Sequence, residues 1–170
     1  KEYVHPYFSG FGTITSRITM KEPALQNLRK ENRDIIIPEQ DKELLYIDYS
    51  QFEAGILANM SKDYDLIKLY NDGDIYNDIA KKVLEKESDE ESRKEAKILF
   101  YRYLYGDDFS RDTTGVGKKI ITYFKQFPTL TAYKKDFIER CLKEGKVISK
   151  RGNHRVLIGH NENIWILSHH

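Results

Sequence analysis

Two segments of the chain carry residue types suited to nucleotide chemistry. Residues Asp48 to Glu53 (DYSQFE) place two acids where an apolar run gives way to a helical pattern. Arg93, Lys97, Tyr101 and Tyr105 follow one another at steps of four. A carboxylate can bind a divalent cation, cationic side chains can bind phosphates, and a flat ring can stack on a base. Together the segments indicate nucleotidyl transfer on a nucleic acid.

The second segment predicts a helix with a cationic and aromatic stripe. Because an α-helix turns about 100° per residue, side chains four positions apart lie about 40° from one another along a slowly drifting line. The stripe spans about 18 Å, roughly the length of an extended nucleoside triphosphate. Spacing alone leaves two interpretations equal. Either the stripe binds phosphates and a base, or the tyrosines are core and the cations are solvated.

The acids of the first segment also have two interpretations. The apolar run Glu43 to Asp48 (ELLYID) predicts a buried strand, and an acid at its end is placed to bind a metal, to be solvated or to cap a helix. Ser50 and Glu53 have the spacing of a capping box, so Glu53 could have a purely structural role.

Length, charge and cysteine content narrow the class of protein. The chain has 170 residues, which suits one domain or a piece of a larger protein, and a formal net charge of +1, so any phosphate binding needs local clusters of cations. Its single cysteine excludes an intrachain disulfide and a cysteine-based zinc site. No apolar run approaches the roughly 20 residues that span a bilayer. The starting residue, Lys1, and the abrupt end at His170 suggest a polypeptide cut from a longer one.

The remaining pattern predicts a helical middle between sheet-forming ends, hence an α+β fold. Helical patterns cover Phe52 to Met60, Tyr64 to Leu69, Ile75 to Leu84, Glu90 to Leu104, Lys118 to Phe127 and Leu130 to Glu144. Lys146 to Lys150 and Arg155 to Ile158 predict a hairpin, and Tyr3 to Arg17 predicts a hairpin or loop.

The motifs, taken in order, resemble those of the A-family DNA polymerases. DYSQFE resembles motif A of that family, and the Arg93 to Gly106 pattern resembles motif B on its fingers helix. Further segments resemble the family's T-G-R-L-S, P-N-L-Q-N-I, G-x-D-I-H and G-Y-V-x-T…G-R-R-R stretches: Thr15 to Thr19, Pro23 to Leu28, Gly73 to Tyr76 and Gly145 to Leu157.

This resemblance implies a fold and an activity. The fold would be a helical fingers subdomain inserted in an incomplete antiparallel palm sheet. Residues 1–62 would form a partial palm with motif A, residues 63–144 the fingers with motif B, and residues 145–170 a palm hairpin and a truncated end. The activity would be template-directed transfer of a nucleotide from a dNTP to a primer 3′-hydroxyl, in DNA replication or repair. The expected location is the cytoplasm of a bacterial or phage-infected cell.

The resemblance also implies the catalytic and metal-binding residues. Asp48 and the carbonyl of Tyr49 would bind Mg²⁺ in a two-metal site, and Asp48 would be catalytic. Arg93 and Lys97 would clamp the triphosphate, and Lys97 would also be catalytic as the proton donor to pyrophosphate.

Four further residues are expected to contact the nucleotide and the templating position. Gln51 would line the nucleotide site, and Glu53 would exclude a ribose 2′-hydroxyl. Tyr101 would lie against the sugar and base. Tyr105 would hold the templating site until the helix closes.

The predicted DNA contacts lie near both ends of the chain. The resemblance implies that Arg17, Gln26 and Asn27 contact the primer–template. Arg151 and Arg155 belong to a basic hairpin that could bind backbone phosphates, although an ordinary solvated turn explains such a cluster as well.

The chain departs from the family pattern in several places. Gly55 stands where many members carry arginine, Ser16 replaces a glycine, and the loop after Gly106 is shorter than usual. The chain stops before the expected motif C, so the second metal-binding carboxylate is absent from it. It is therefore expected to be nearly inactive alone, either truncated or completed by a second chain carrying motif C and the thumb. The alternative function is a non-catalytic DNA-binding or nucleotide-binding fragment or subunit.

One tetrapeptide suggests a different polymerase. Tyr105 to Asp108 spells YGDD, a signature of RNA-dependent polymerases that requires a β-hairpin between apolar strands. The helical composition before it and the polar residues after it argue against that hypothesis.

Overall fold

The computed structural model describes residues 3–10, 12–13, 17–148, 152 and 154–156, the last three by their backbone alone. It divides into two compact units, Lys1–Asp48 and Tyr49–His170. The subdomain boundaries at residues 62 and 144 stay predictions.

The first unit contains a short hairpin and two 3₁₀ turns. Strand β1 (Tyr7–Ser9) pairs antiparallel with β2 (Thr19–Lys21), with Phe8 opposite Met20. The turns that follow span Leu25–Asn27 and Lys30–Ile35. Residues 39 to 48 are exposed and have no regular structure beyond a turn.

The predicted strand from Glu43 to Asp48 is wrong. The segment is not a strand, and Leu45 and Ile47 are 83% and 80% exposed. A strand is held by ladder hydrogen bonds from a neighbour. Among the described residues no strand pairs with this segment, so its apolar composition is not enough to make it one.

The second unit is a helical bundle followed by a hairpin. Its helices are α1 (Phe52–Ser61), α2 (Tyr64–Asp72), α3 (Ile75–Ile79, continued by the π-helical turn Ala80–Leu84), α4 (Glu90–Leu104), α5 (Val116–Phe124) and α6 (Pro128–Glu144). Strands β3 (Lys146–Ile148) and β4 (His154–Val156) pair antiparallel. The predicted helices and the α+β class are confirmed.

The core of this unit is a cluster of aromatic and aliphatic side chains around α4. Phe100 is fully buried and contacts the rings of Tyr76 and Phe124 at centroid distances of 5.5 and 6.1 Å. Ile79 and Ile120 belong to the same cluster and are also fully buried. None of the helices in the described part of the chain is long and apolar enough to cross a bilayer.

A single buried carboxylate caps the N-termini of two of these helices. Asp63 is 2% exposed, and one of its oxygens accepts a hydrogen bond from the Leu66 amide at the start of α2. The other oxygen accepts from the Thr129 and Leu130 amides at the start of α6, at 3.0 and 3.1 Å. The first amides of a helix have no partner within it, so Asp63 satisfies donors that would otherwise be buried and unpaired.

Replacing Asp63 by alanine is expected to lower the free energy of unfolding by about 2–4 kcal/mol, because two helix starts lose their acceptor at once. Urea denaturation followed by circular dichroism measures this. Asp136→Ala, an exposed change on α6, serves as the control and should stay within about 0.5 kcal/mol of wild type. Equal stabilities for the two variants would contradict the role given to Asp63.

Candidate active site

Helix α4 carries the predicted stripe along the border of its buried face. Its inward side chains are buried in the core: Ser92, Ala96, Leu99 and Phe100. Arg93, Tyr101 and Tyr105 are half-buried, and Lys97 is exposed. The rings of Tyr101 and Tyr105 stack at a centroid distance of 5.7 Å, and the Lys97 ammonium lies 6.0 Å from the centre of the Tyr101 ring. The stripe therefore keeps Lys97 accessible and Arg93 partly so, while Tyr101 packs against the core.

Helix α4 has a capping box at its N-terminus. The Asp89 carboxylate accepts a hydrogen bond from the Ser92 amide at 2.7 Å, and the Ser92 hydroxyl accepts from the Asp89 amide at 3.1 Å. This reciprocal pair places the first turn of α4 and hence Arg93, the residue that follows Ser92.

The predicted capping box at the start of α1 is wrong. Gln51 is the N-cap residue and has a left-handed backbone (φ 51°), with no side-chain hydrogen bond at the cap. Ser50 therefore lies one residue outside the position from which it could cap the helix. The Glu53 carboxylate instead accepts a hydrogen bond from the Tyr101 hydroxyl at 2.8 Å. This contact joins the start of α1 to the stripe on α4.

Two further contacts tie the start of α3 to the same region. The Gln51 side-chain oxygen accepts from the Ile75 amide at 2.9 Å. Arg93 donates from Nε and Nη2 to one oxygen of Asp74, at 3.0 and 2.7 Å, and its guanidinium lies 5.1 Å from the centre of the Tyr76 ring. The starts of α1 and α3 and the outer side of α4 thus form one polar surface.

Burial shifts the pKa of Tyr101, the tyrosine at the centre of this surface. It raises the pKa of the Tyr101 hydroxyl well above its usual value, and the neighbouring Tyr76 hydroxyl and Glu53 carboxylate add to the effect. Tyr101 is therefore protonated at any physiological pH and acts as a hydrogen-bond donor to Glu53.

The predicted site residues are divided between the two units. The second unit contains the four residues of the stripe, Arg93, Lys97, Tyr101 and Tyr105. It also contains Glu53, which is hydrogen-bonded to the stripe, and Gln51, which is hydrogen-bonded to the start of α3. Asp48 is exposed and belongs to the first unit, while Tyr49 is 74% exposed and stacks on Phe52 at 5.0 Å.

The predicted DNA-binding residues of the first unit are all exposed. Arg17, Gln26 and Asn27 face solvent, and the Gln26 amide donates to the Met20 carbonyl at 2.8 Å, which ties its turn to β2. Arg151 and the side chain of Arg155 lie outside the described residues.

Comparison with known proteins identifies the family. The model of DNA polymerase family A matches residues 1–165. The chain belongs to DNA polymerase family A. Its relatives include DNA polymerase I of Helicobacter pylori (strain J99), 29% identical over 90% of this chain, and of Streptococcus pneumoniae (strain TIGR4), 34% identical over 79% of it.

A solved structure supports the same conclusion. The chain is similar to the POL domain of Pol1 from M. smegmatis in complex with DNA primer-template and dNTP, with a TM-score of 0.73, 25% identity and 97% of this chain covered. The chain spans 19% and 18% of the lengths of the two curated relatives and 33% of the M. smegmatis chain.

One departure from the family pattern has a local structural reason. A side chain on Gly55 would begin 2.6 Å from the ring of Tyr70, so the absence of a side chain lets α1 pack against α2 through this tyrosine. The arginine that many family members carry here would require Tyr70 to move.

The RNA-dependent polymerase hypothesis is wrong. Residues up to Leu104 are helical, Tyr105 ends the helix, and Asp107 accepts a hydrogen bond from Arg102 Nε at 2.6 Å. The YGDD tetrapeptide therefore lies at a helix end and in the loop that follows, not between two strands.

The sequence reasoning missed Asp74 as a site residue. The break at residues 72–74 before a helical pattern predicts an N-cap residue. Asp74 is the N-cap residue of α3. Its second oxygen pairs with an arginine 19 positions later, on a different helix. No local pattern predicts that contact.

A partly buried lysine of α6 fixes the end of α4 that carries the tyrosines. The Lys134 ammonium donates to the Tyr103 carbonyl at 2.8 Å and lies 3.8 Å from the centre of the Tyr103 ring, which stacks on Phe124. Burial lowers the pKa of Lys134 to about 8. The last turn of α4 is thus attached to α5 and α6.

The free energy of unfolding is expected to depend on the titration of Lys134. Its pKa is about 8 when folded and ordinarily 10.5, so the unfolded chain binds more protons between these values and stability rises with pH across that window. Relative to Lys134→Met, the wild type should gain about 1–3 kcal/mol from pH 7.5 to 10.5, measured by urea denaturation.

The neighbouring exposed lysine gives the matched control for this measurement. Lys135 is 79% exposed, so Lys135→Met should follow the wild-type pH dependence. A constant stability difference between wild type and Lys134→Met at all pH values would show that Lys134 has no depressed pKa.

Proposed function

We propose that the chain provides the nucleotide-binding part of a template-directed DNA polymerase, which transfers a nucleotide from a dNTP to a primer 3′-hydroxyl in DNA replication or repair. The observation that carries this proposal is the α4 stripe. It presents two cations and two stacked tyrosines beside a carboxylate that is hydrogen-bonded to one of the tyrosines. This combination, in a chain of polymerase family A, suits a ligand with phosphates at one end and a sugar and base at the other.

Each residue of the stripe has a distinct part in the proposed reaction. Arg93 and Lys97 bind the triphosphate, and Lys97, exposed and cationic, donates a proton to the departing pyrophosphate. Tyr101 lies against the sugar and base, and Tyr105 occupies the templating position until the nucleotide binds. Most of the catalytic effect comes from placing charged groups before the reaction begins.

Glu53 and Gln51 define the sugar side of the site. Because the Glu53 carboxylate is held by the Tyr101 hydroxyl, it keeps one position and can exclude a ribose 2′-hydroxyl by contact. Gln51 contributes by joining the starts of α1 and α3, which border the nucleotide.

Magnesium is the proposed cofactor. The Asp48 carboxylate and the Tyr49 carbonyl are hard oxygen donors of the type that Mg²⁺ prefers, and both residues are exposed. Among the described residues no three His, Cys, Asp or Glu side chains cluster as metal ligands. Asp48 and Tyr49 would supply part of the donor set. When bound, Mg²⁺ would neutralise negative charge on the phosphates.

Primer–template DNA and a dNTP are the proposed partners, and the M. smegmatis relative is described in complex with both. Arg17, Gln26 and Asn27 are exposed and available to contact the DNA. A second chain that carries motif C and the thumb stays a prediction, since no relative supports it.

In the polymerase completed with the segment that carries motif C, Asp48→Ala is expected to reduce primer extension about 100-fold or more, because the metal loses a charged ligand. DNA binding in a mobility-shift assay should be unchanged. Asp34→Ala, an exposed acid of the same unit, is the control and should extend primers normally. Undiminished extension by Asp48→Ala would remove this residue from the metal site.

Lys97→Ala is expected to raise the dNTP concentration needed for half-maximal incorporation and to slow single-turnover incorporation about 100-fold, because a phosphate ligand and proton donor are lost. Lys94→Ala removes a neighbouring exposed lysine that pairs with Glu90, and should behave as wild type. If the two variants were equally active, the stripe would have only a structural role. If the wild type bound DNA and nucleotide but extended no primers even when the segment with motif C is supplied, the non-catalytic binding function would hold instead.

A further inference from the structure

The arginine of the proposed triphosphate clamp is already bound to a carboxylate. Arg93 Nε and Nη2 donate to the same oxygen of Asp74, at 3.0 and 2.7 Å. The side chains of Arg93 and Asp74 are 36% and 22% exposed, so the pair is only partly solvated. The guanidinium also lies 5.1 Å from the centre of the Tyr76 ring. Two groups at the start of α3 therefore hold Arg93.

The other oxygen of Asp74 has a separate role. It accepts hydrogen bonds from the Tyr76 and Asn77 amides, at 2.9 and 3.0 Å, and so caps α3. Because the helix start fixes this carboxylate, Asp74 cannot turn away from Arg93 without giving up the cap. The carboxylate is a preset partner for the arginine.

We propose that Asp74 is a positioning residue that competes with the triphosphate for Arg93 and thereby sets the affinity of the nucleotide site. This inference rests on the proposed function of Arg93. In the resting site the guanidinium is neutralised by Asp74. An incoming triphosphate must share or displace that carboxylate before it gains the full attraction of the cation.

The balance of donors and charges supports competition. A guanidinium has five N–H donors, and Asp74 accepts two of them, which leaves three for a ligand. The negative charge of Asp74 also opposes the approach of another anion. The penalty applies to any ligand that engages Arg93 and is absent for a ligand without phosphates. Asp74 therefore favours ligands with enough negative charge to overcome it.

The test replaces Asp74 by asparagine, which keeps the side-chain oxygen that caps α3 and removes the charge. Dissociation constants for a dNTP, for inorganic tripolyphosphate and for the corresponding nucleoside are measured by titration calorimetry at low ionic strength. Asp74→Asn is expected to bind the dNTP and tripolyphosphate about two- to fivefold more tightly, the range of a partly exposed ion pair, and the nucleoside unchanged. In primer extension by the polymerase completed with the motif C segment, the KM for dNTP should fall by a similar factor with kcat little changed.

Two controls separate the competition from a general charge effect. Asp72→Asn removes an exposed carboxylate two positions earlier, at the end of α2, and should change the affinities less than Asp74→Asn does. Asp74→Ser also preserves a capping oxygen and removes the charge, so it should reproduce the tighter binding. Thermal unfolding of each variant shows whether the cap is retained.

The Arg93→Ala background decides between the outcomes. If Arg93 is the phosphate ligand, Arg93→Ala weakens binding, and adding Asp74→Asn then tightens it by a smaller factor than it does in the wild type. Unchanged or weaker binding in Asp74→Asn and Asp74→Ser, with Arg93→Ala still weakened, would overturn the competition and leave the proposed function intact. Tightening by the same factor in the Arg93→Ala background as in the wild type would also overturn it. Unaltered binding in Arg93→Ala alone would instead remove Arg93 from the proposed site.

Discussion

The candidate site depends on the burial of one face of helix α4. Ala96 and Phe100 are completely buried, and Phe100 meets rings from α3 and α5. Since the helix has 3.6 residues per turn, anchoring these positions also fixes the direction of Arg93, Lys97 and Tyr101. The candidate site surface is therefore a consequence of core packing. A shift of the helix by one residue toward its start would place Arg93 and Lys97 at the buried positions of Ser92 and Ala96.

Carboxylates that cap helix N-termini also link one helix to another. Asp63 caps α2 with one oxygen and α6 with the other, and Asp74 caps α3 while it pairs with Arg93 of α4. Each acid has two oxygens, so a residue needed locally for a helix start can make a second contact far away in the sequence. The helices around the site are thus held by side chains that a sequence pattern identifies only as caps.

Elements with strong local signals were predictable, and those that need a distant partner were not. Helix α4 was predicted over Glu90–Leu104, because its apolar spacing and the glycine after it are local features. The apolar run ending at Asp48 was mistaken for a strand, because hydrophobicity does not reveal whether a ladder partner is present. The predicted Ser50–Glu53 capping box is wrong for a related reason. Gln51 takes the cap position, and Glu53 has a tyrosine partner 48 residues away.

The amino-acid sequence by itself determined the family, the α+β class and the residue types along the α4 stripe. Motifs and helical periodicity are local features, so short stretches of chain are enough to recognise them. The tertiary structure alone decided which side chains those residues meet: Glu53 with Tyr101, Gln51 with the amide of Ile75, and Asp74 with Arg93. Contacts between helices depend on how several buried faces pack together, and that information is distributed over the whole unit and not held in any one segment.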